Sequence, residues 1–463
     1  MPAFLRLHLT KAPPATVALA VPFAIAISVT DDLATTVYFG TDAIPLRISL
    51  VDATSYTPLE GLTISPTTAA AAKRRLEIPA TGQGLLAVQV VITDKRPAAR
   101  QPQHKHAAKF AARLVVEVDP AALVQLNYAG GKQSDEVVVG PELLGAKGVL
   151  RSDAGELLPW PVYSGVVTVS PVLADLQAET VQDCQRHFFL TIPSHSSDTG
   201  TRQNCSSSSS SSSPSSQQHP LSLLRIPVQE HARMTFSTGT HTWDCSPILA
   251  HVLACTHTRW LPTTTTQNTV IELGAGCGLV GTVAALLGAD RVVMTDLDDP
   301  SKSALRENVA IAEALLGKLA VGVVGRKGQR GGRTASSSII HARVLEWGKL
   351  SCETVDELLP RSTTSAGSSS SNHQAARPPH ALIVAADVLY NVGSHDEFLS
   401  TLVSLTGSSN YDVDVLIGYK KRGRGEDRFF DIARDAGFKI ETVAAAWGVE
   451  VFWLKQGSCV GMR

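Results

Sequence analysis

No CxxC pair occurs anywhere in this chain. Its seven cysteines, Cys184, Cys205, Cys245, Cys255, Cys277, Cys352 and Cys459, are scattered and odd in number. That pattern fits neither a disulfide framework nor a zinc site, and a reducing compartment is expected. An excess of one charge is also missing: Lys plus Arg total 41 against 42 for Asp plus Glu, a net formal charge of -1. Without a global basic field, nucleic acid is not an expected partner. Long apolar runs are absent too. The stretch Ala15 to Val29, ATVALAVPFAIAISV, is too short to span a bilayer and is interrupted by Pro22. Pro13 and Pro14 precede it, and it runs into Thr30, Asp31 and Asp32 rather than a small-residue cleavage site, so two buried strands describe it better than a signal peptide. No membrane partner is expected.

What the chain does have is length and pattern. At 463 residues it can build two or three domains, each with its own core. From residue 1 to about 180, short β-branched runs such as LRLHLT, TVALAV, TTVYF, IPLRISLV, LLAVQVVITD, ARLVVEVD, EVVVG and SGVVTVS are separated by turn formers. That spacing predicts a β-rich sandwich, and no catalytic constellation appears in it. Residues 196–219 are almost purely polar, with an unbroken serine run from Ser206 to Ser213. Such a segment cannot bury enough surface to offset its ordering entropy and reads as an insert or linker. Two further inserts, 322–338 and 361–379, interrupt the second half and are expected to be surface loops.

Around those inserts, strand and helix alternate. TVIEL, RVVMTD, HARVLEW, ALIVAAD and DVLIGY read as strands; GLVGTVAALLGA, PSKSALRENVAIAEALLG, the stretch near Asp396 to Leu405 and GEDRFFDIARDAG read as helices; FKIETVAAA and VEVFWLK read as a closing hairpin. Alternation of this kind predicts a doubly wound, mainly parallel α/β sheet, whose ligands bind beyond the carboxyl ends of the strands.

Four motifs fall at such ends. Glu272-Leu273-Gly274-Ala275-Gly276-Cys277-Gly278 joins a strand to a helix, where glycines let backbone approach a ligand and the helix offers free N–H donors. The third glycine of a dinucleotide-binding GxGxxG would fall at 279, which is Leu279. Asp296 ends the next strand, 22 residues beyond Gly274, where a carboxylate can accept two ribose hydroxyls; Asp298 or Asp299 is the better candidate for the following helix cap. Glu346-Trp347-Gly348 follows a third strand, and its indole either stacks on an adenine or fills core. Ala386-Asp387-Val388-Leu389-Tyr390 follows a fourth, where the carboxylate either orients an incoming amine or caps a helix.

With Thr242-Trp243-Asp244 opening a helix, then ELGAGCGLVG, MTDLDD, LEWG and AADVLY in order, residues 184–456 resemble the seven-strand (class I) methyltransferase-like family of non-histone protein lysine methyltransferases, the valosin-containing-protein lysine methyltransferase group. The resemblance implies a Rossmann-like seven-strand fold, S-adenosyl-L-methionine as cofactor and a protein lysine as methyl acceptor. It also implies that Trp243, Gly274, Ala275, Gly276, Asp296, Trp347 and Ala386 bind the cofactor, while Asp387 and Tyr390 face the acceptor as the catalytic pair. No metal is expected. Where the family commonly has Trp-Asp-Ala, this chain has Trp243-Asp244-Cys245, and its first 180 residues have no counterpart. An Asn-Pro-Pro-Tyr run is missing, which argues against adenine or glutamine amide acceptors. Protein histidine or a small molecule remains an alternative acceptor on the same fold, and a non-catalytic adaptor an alternative role. A monomer in the cytoplasm, or alternatively the nucleus, is the expected setting.

Overall fold

The computed structural model describes residues 3–30, 43–67, 76–78, 85–95, 109–119, 150–151, 155–157, 161–170, 177–180, 183–193, 221–231, 238–262, 265, 267–297, 304–322, 339–360, 379–407 and 411–457. The expected strands TTVYF and EVVVG, the serine run, Asp298 and Asp299, and almost all of the inserts at 322–338 and 361–379 lie outside the described residues.

The N-terminal region is built of strands β1 (Ala3–Lys11), β2 (Pro14–Ala18), β3 (Phe23–Thr30), β4 (Ile44–Asp52), β5 (Leu62–Pro66), β6 (Glu77–Ile78), β7 (Leu85–Asp94) and β8 (Phe110–Val118). It continues through β9 (Leu150–Arg151), β10 (Gly155–Leu157), β11 (Val162–Ser164), β12 (Val167–Ser170), β13 (Gln177–Thr180), β14 (Asp183–Pro193) and β15 (Leu221–His231). One sheet has the order β5-β7-β3-β1-β10-β9; the other runs β13-β2-β12-β8-β11-β14-β15, with β4 paired to β8 and β6 to β4. Period-two patterning explains why they face each other. Leu5, Leu7 and Leu9 of β1 and Ile25, Ile27 and Val29 of β3 meet Leu114, Val116 and Val118 of β8 in one apolar core. The segment Ala15 to Val29 is accordingly two strands of this sandwich, β2 and β3, joined by a turn.

The second half is one seven-stranded sheet. Its strands are β16 (Asn268–Leu273), β17 (Arg291–Asp296), β18 (Ile340–Val344), β19 (His380–Ala386), β20 (Asp412–Lys420), β21 (Phe438–Ala446) and β22 (Val449–Gln456), in the order β18-β17-β16-β19-β20-β22-β21. All neighbours are parallel except β22, which runs antiparallel to both β20 and β21. This is the doubly wound sheet that the alternation predicts. Every residue of β16 and of β19 is buried, as central parallel strands with both faces covered require.

Helices α1 (Cys245–Cys255), α2 (His257–Trp260), α3 (Leu279–Leu286), α4 (Ala304–Gly322), α5 (Cys352–Leu358), α6 (His395–Thr406) and α7 (Arg428–Asp435) clothe the sheet. Val270, Val292, Leu382 and Leu416 share a core with α1, α3 and α4, whereas Ile271, Val293, Ile383 and Val415 share the other with α6 and α7. The β14–β15 hairpin lies across the expected junction between the halves. Its backbone completes the nine-stranded sheet, while Phe188, Leu190, Ile226 and Val228 are buried in the core beneath α1 and α4. Each such side chain stabilises the contact by about 1.5–3 kcal/mol. Among the described residues, no helix is long and apolar enough to cross a membrane.

Candidate active site

Strand order reverses between β16 and β19: crossovers from β16 lead one way to β17 and β18, and those from β19 lead the other way to β20. At such a switch point the loops beyond the carboxyl ends diverge and leave a crevice. A cleft of about 470 Å³ opens there.

The turn after β16 forms its floor. Gly274 has φ +65°, and a Cβ on it would lie 2.9 Å from Val388 Cγ1 and 3.3 Å from Trp347 Cζ2. Only glycine combines that left-handed conformation with so close an approach from two other loops. Gly278, at φ +73°, is pressed instead from beneath, where a Cβ would sit 2.7 Å from Leu305 Cδ1. Between them, Gly276 donates its N–H to Asp296 Oδ2 at 2.6 Å, and Leu297 N–H reaches Asp296 Oδ1 at 2.7 Å. Asp296 therefore fixes the turn as well as presenting a carboxylate to the cleft. Under the floor, Glu272 accepts the Gly281 N–H at 2.9 Å. Burial pushes its carboxyl up to about 8, with Asp296 adding to the rise against the lowering by that hydrogen bond.

Beyond β18, Trp347 packs on Phe398 with ring centroids 4.8 Å apart, so one part of the indole is held by core while the rest borders the cleft. Trp347 thus fills core on one side and borders the cleft on the other. On the far wall, Trp243 donates its indole N–H to Thr238 O at 2.9 Å, and Thr238 Oγ1 lies 3.3 Å from the Tyr390 hydroxyl. Tyr390 is half exposed and stands at the rim.

Asp387 does not cap a helix. Its φ is +63°, its N–H bonds Gly418 O at 2.9 Å, and its carboxylate is gripped through both oxygens by Arg422, with Nε to Oδ1 at 2.8 Å and Nη2 to Oδ2. The Arg422 guanidinium lies 5.3 Å from the centre of the Trp243 ring, within reach of a cation–π contact. Burial first, and then the Asp387 carboxylate beside it, push the Cys245 thiol well above its ordinary value, so this cysteine is a neutral neighbour of the site.

Trp243, Gly274, Gly276, Asp296, Trp347, Ala386, Asp387 and Tyr390 all border this one cleft. Ala275 does not: it is buried beneath the turn, its N–H bonded to Thr295 O at 2.8 Å. Arg422 escaped the sequence reading. The signal was present, because Lys421 and Arg422 follow directly on Lys420, the last residue of a strand whose carboxyl end points to the same crevice. Among the described residues, no group of three or more His, Cys, Asp or Glu side chains is arranged to hold a metal ion.

Residues 224–324 and 369–436 match the model of a family described as lysine methyltransferase. This match agrees with the resemblance read from the motifs at the level of a lysine methyltransferase family. Among curated proteins, the chain is 28% identical over 181 residues to the protein N-terminal and lysine N-methyltransferase EFM7 of Gibberella zeae, covering 38% of this chain and 59% of that one. It is also 28% identical over 178 residues to the protein of the same name from Cryptococcus neoformans var. neoformans serotype D, covering 38% and 46%. The chain thus spans about half the length of these relatives. Among solved structures, the ribosomal protein L11 methylase of Lactobacillus delbrueckii subsp. bulgaricus aligns at 17% identity and a TM-score of 0.26, over 45% of this chain and 79% of that one.

Proposed function

We propose that the cleft binds S-adenosyl-L-methionine and that the protein transfers its methyl group to a lysine side chain of another protein. One observation carries this reading: the glycine turn, Asp296, Trp347 and Asp387 come from the ends of four adjacent strands and border one cleft at the point where strand order reverses. The residues fit the cofactor. Gly274 and Gly276 leave open the space that Cβ atoms would narrow and suit the amino-acid end, Asp296 suits a ribose, Trp347 an adenine, and Trp243 and Ala386 border the same space. When bound, S-adenosyl-L-methionine supplies a methyl on a positively charged sulfur that leaves as a neutral thioether.

The chain's own residues then have two tasks. A lysine amine has an unperturbed pKa near 10.4, so a neutral lone pair must be favoured and aimed. Asp387, with both oxygens engaged by Arg422, keeps its remaining lone pairs for an incoming amine and acts by orienting it. Tyr390 and Thr238 close the rim and limit water at the acceptor. A second acceptor is favoured by the names of the two curated relatives, which include N-terminal methylation. An α-amine, with an ordinary pKa of about 7.7–8.0, presents its lone pair more readily than lysine does. The setting we assign is the cytoplasm, or the nucleus, with a protein substrate and a monomeric enzyme.

Incubation of the purified chain with radiolabelled S-adenosyl-L-methionine and a methyl-depleted lysate tests this. A labelled protein band whose methyl group maps to a lysine, or to an amino terminus, is expected. A folded chain that binds the cofactor and labels nothing in protein overturns the acceptor assignment.

A further inference from the structure

We infer that the N-terminal β-region is a working part of the cleft, and that Arg6, on β1, is the positioning residue through which it acts on the wall carrying Trp243. The inference rests on the proposal that this cleft binds S-adenosyl-L-methionine. Arg6 is fully buried, and it lies 238 residues from its acidic partner. Its Nη1 donates to Thr242 O at 2.6 Å and its Nη2 to Asp244 Oδ1 at 2.8 Å. Asp244, also fully buried, accepts from Lys420 Nζ at 2.5 Å through its other oxygen.

Thr242 is held from a second side as well. Its N–H donates to Glu230 Oε1 of β15 at 3.2 Å, and Glu230 in turn faces Arg186 of β14 at 3.5 Å. One position earlier, the His241 ring stacks on His8 of β1 with centroids 5.9 Å apart. Residues 241, 242 and 244 are therefore each bonded or stacked to the β-region. Trp243, between them, turns instead to the cleft, where it meets Thr238 and Arg422. Arg422 passes the same constraint to Asp387.

A simple domain contact does not need this. The Phe188 and Ile226 cluster already joins the two halves with apolar surface, whereas a fully buried guanidinium and a partly buried ammonium on one buried carboxylate carry a desolvation cost that only good geometry offsets. A planar guanidinium spanning a carbonyl and a carboxylate fixes a direction, which a hydrophobic patch does not.

The test compares full-length wild type with Arg6→Met, Arg6→Lys and the control Leu114→Ala. The control empties part of the sandwich core without touching the network. Two readings are taken below the lowest unfolding temperature: calorimetric Kd for S-adenosyl-L-methionine, and amide hydrogen exchange over residues 238–246. Arg6→Met is expected to raise Kd and to speed exchange at 241–246 by tenfold or more, with β16 and α3 unchanged. Arg6→Lys, keeping charge but not the fork, should fall between Arg6→Met and wild type. Leu114→Ala should lower the melting temperature while leaving both readings within twofold. Arg6→Met within twofold of wild type on both, or Leu114→Ala reproducing its effects, overturns the inference. Should Arg6→Met not fold, Arg6→Lys is held to the same twofold limit. Wild type that binds no S-adenosyl-L-methionine removes the cofactor proposal alone, and the exchange comparison still decides the role of Arg6.

Discussion

Two glutamates, one at the junction of the halves and one beneath the cleft, are equally deep and behave oppositely. Burial raises the Glu230 carboxyl, but His241, Arg186 and Arg6, with a hydrogen bond from Thr242, outweigh it and hold the group at about 2. Glu272 has the Gly281 N–H and no facing cation among the influences that move it, and burial carries it to about 8. A buried carboxylate thus stays ionised where another region of the chain delivers positive charge to it, and takes up a proton where only backbone donors reach it. The junction is a place of paired charge that sets geometry. In the cleft, Asp296 and Asp387 both border the space a ligand would fill.

The sharpest way to break this contrast is at Asp387, a cleft carboxylate that is buried and paired as the junction carboxylates are. Its side chain and that of Arg422 are only 4% and 10% exposed. Asp387→Asn removes the charge and one half of the bidentate grip, so it should cost about 3–5 kcal/mol of stability by leaving the guanidinium poorly matched. Methyl transfer should fall by roughly 10²- to 10⁴-fold. The double variant Asp387→Asn with Arg422→Gln should regain much of the stability without regaining turnover, as read by denaturant titration and single-turnover kinetics. Turnover returning together with stability would assign Asp387 a structural role only.

Asp296 is the next largest case, because its carboxylate serves the turn and the ligand together. Asp296→Ala should weaken S-adenosyl-L-methionine binding about 10- to 100-fold, since each hydrogen bond to a charged group contributes about 1.5–3 kcal/mol before water compensates. Calorimetry showing an unchanged Kd removes Asp296 from the site.

On ligand binding and turnover the smallest effect should be seen with Glu272, which lies beneath the cleft and does not line it. Its folded value of about 8 lies above the ordinary 4.5, so the folded chain holds a proton that the unfolded chain has already lost. The stability linked to that proton is complete below about pH 4.5 and declines as pH rises toward 8. Glu230, with the opposite shift, contributes above about 4.5 and loses its contribution as pH falls toward 2. Glu272→Gln should therefore flatten the fall in urea midpoint between pH 5 and pH 8. Identical slopes for variant and wild type would place the Glu272 carboxyl at its ordinary value.

Much of the candidate cleft is legible in the sequence, and for a physical reason. A strand-to-helix glycine turn, a carboxylate ending the next strand and a tryptophan beyond a third are local features, and the parallel sheet then carries strand ends to one edge automatically. Ala275 sits in the same motif but faces inward, because direction within a tight turn depends on φ values that composition does not report. Asp387 borders the crevice as its place at a strand end implies, but no local pattern points to its pairing, because Arg422 lies 35 residues away on the loop after β20.

By itself, then, the order of residues determined the alternation of strand and helix and the glycine-lined turn, since these rest on periodicity and backbone freedom over a few residues, and its motifs carried the family resemblance. Tertiary structure alone decided that β14 and β15 serve both halves, that Arg6 meets Asp244, and which of two buried glutamates keeps its charge. Those outcomes depend on desolvation and on charges brought together across hundreds of residues. No local pattern encodes the distance between groups that meet only when the chain has folded.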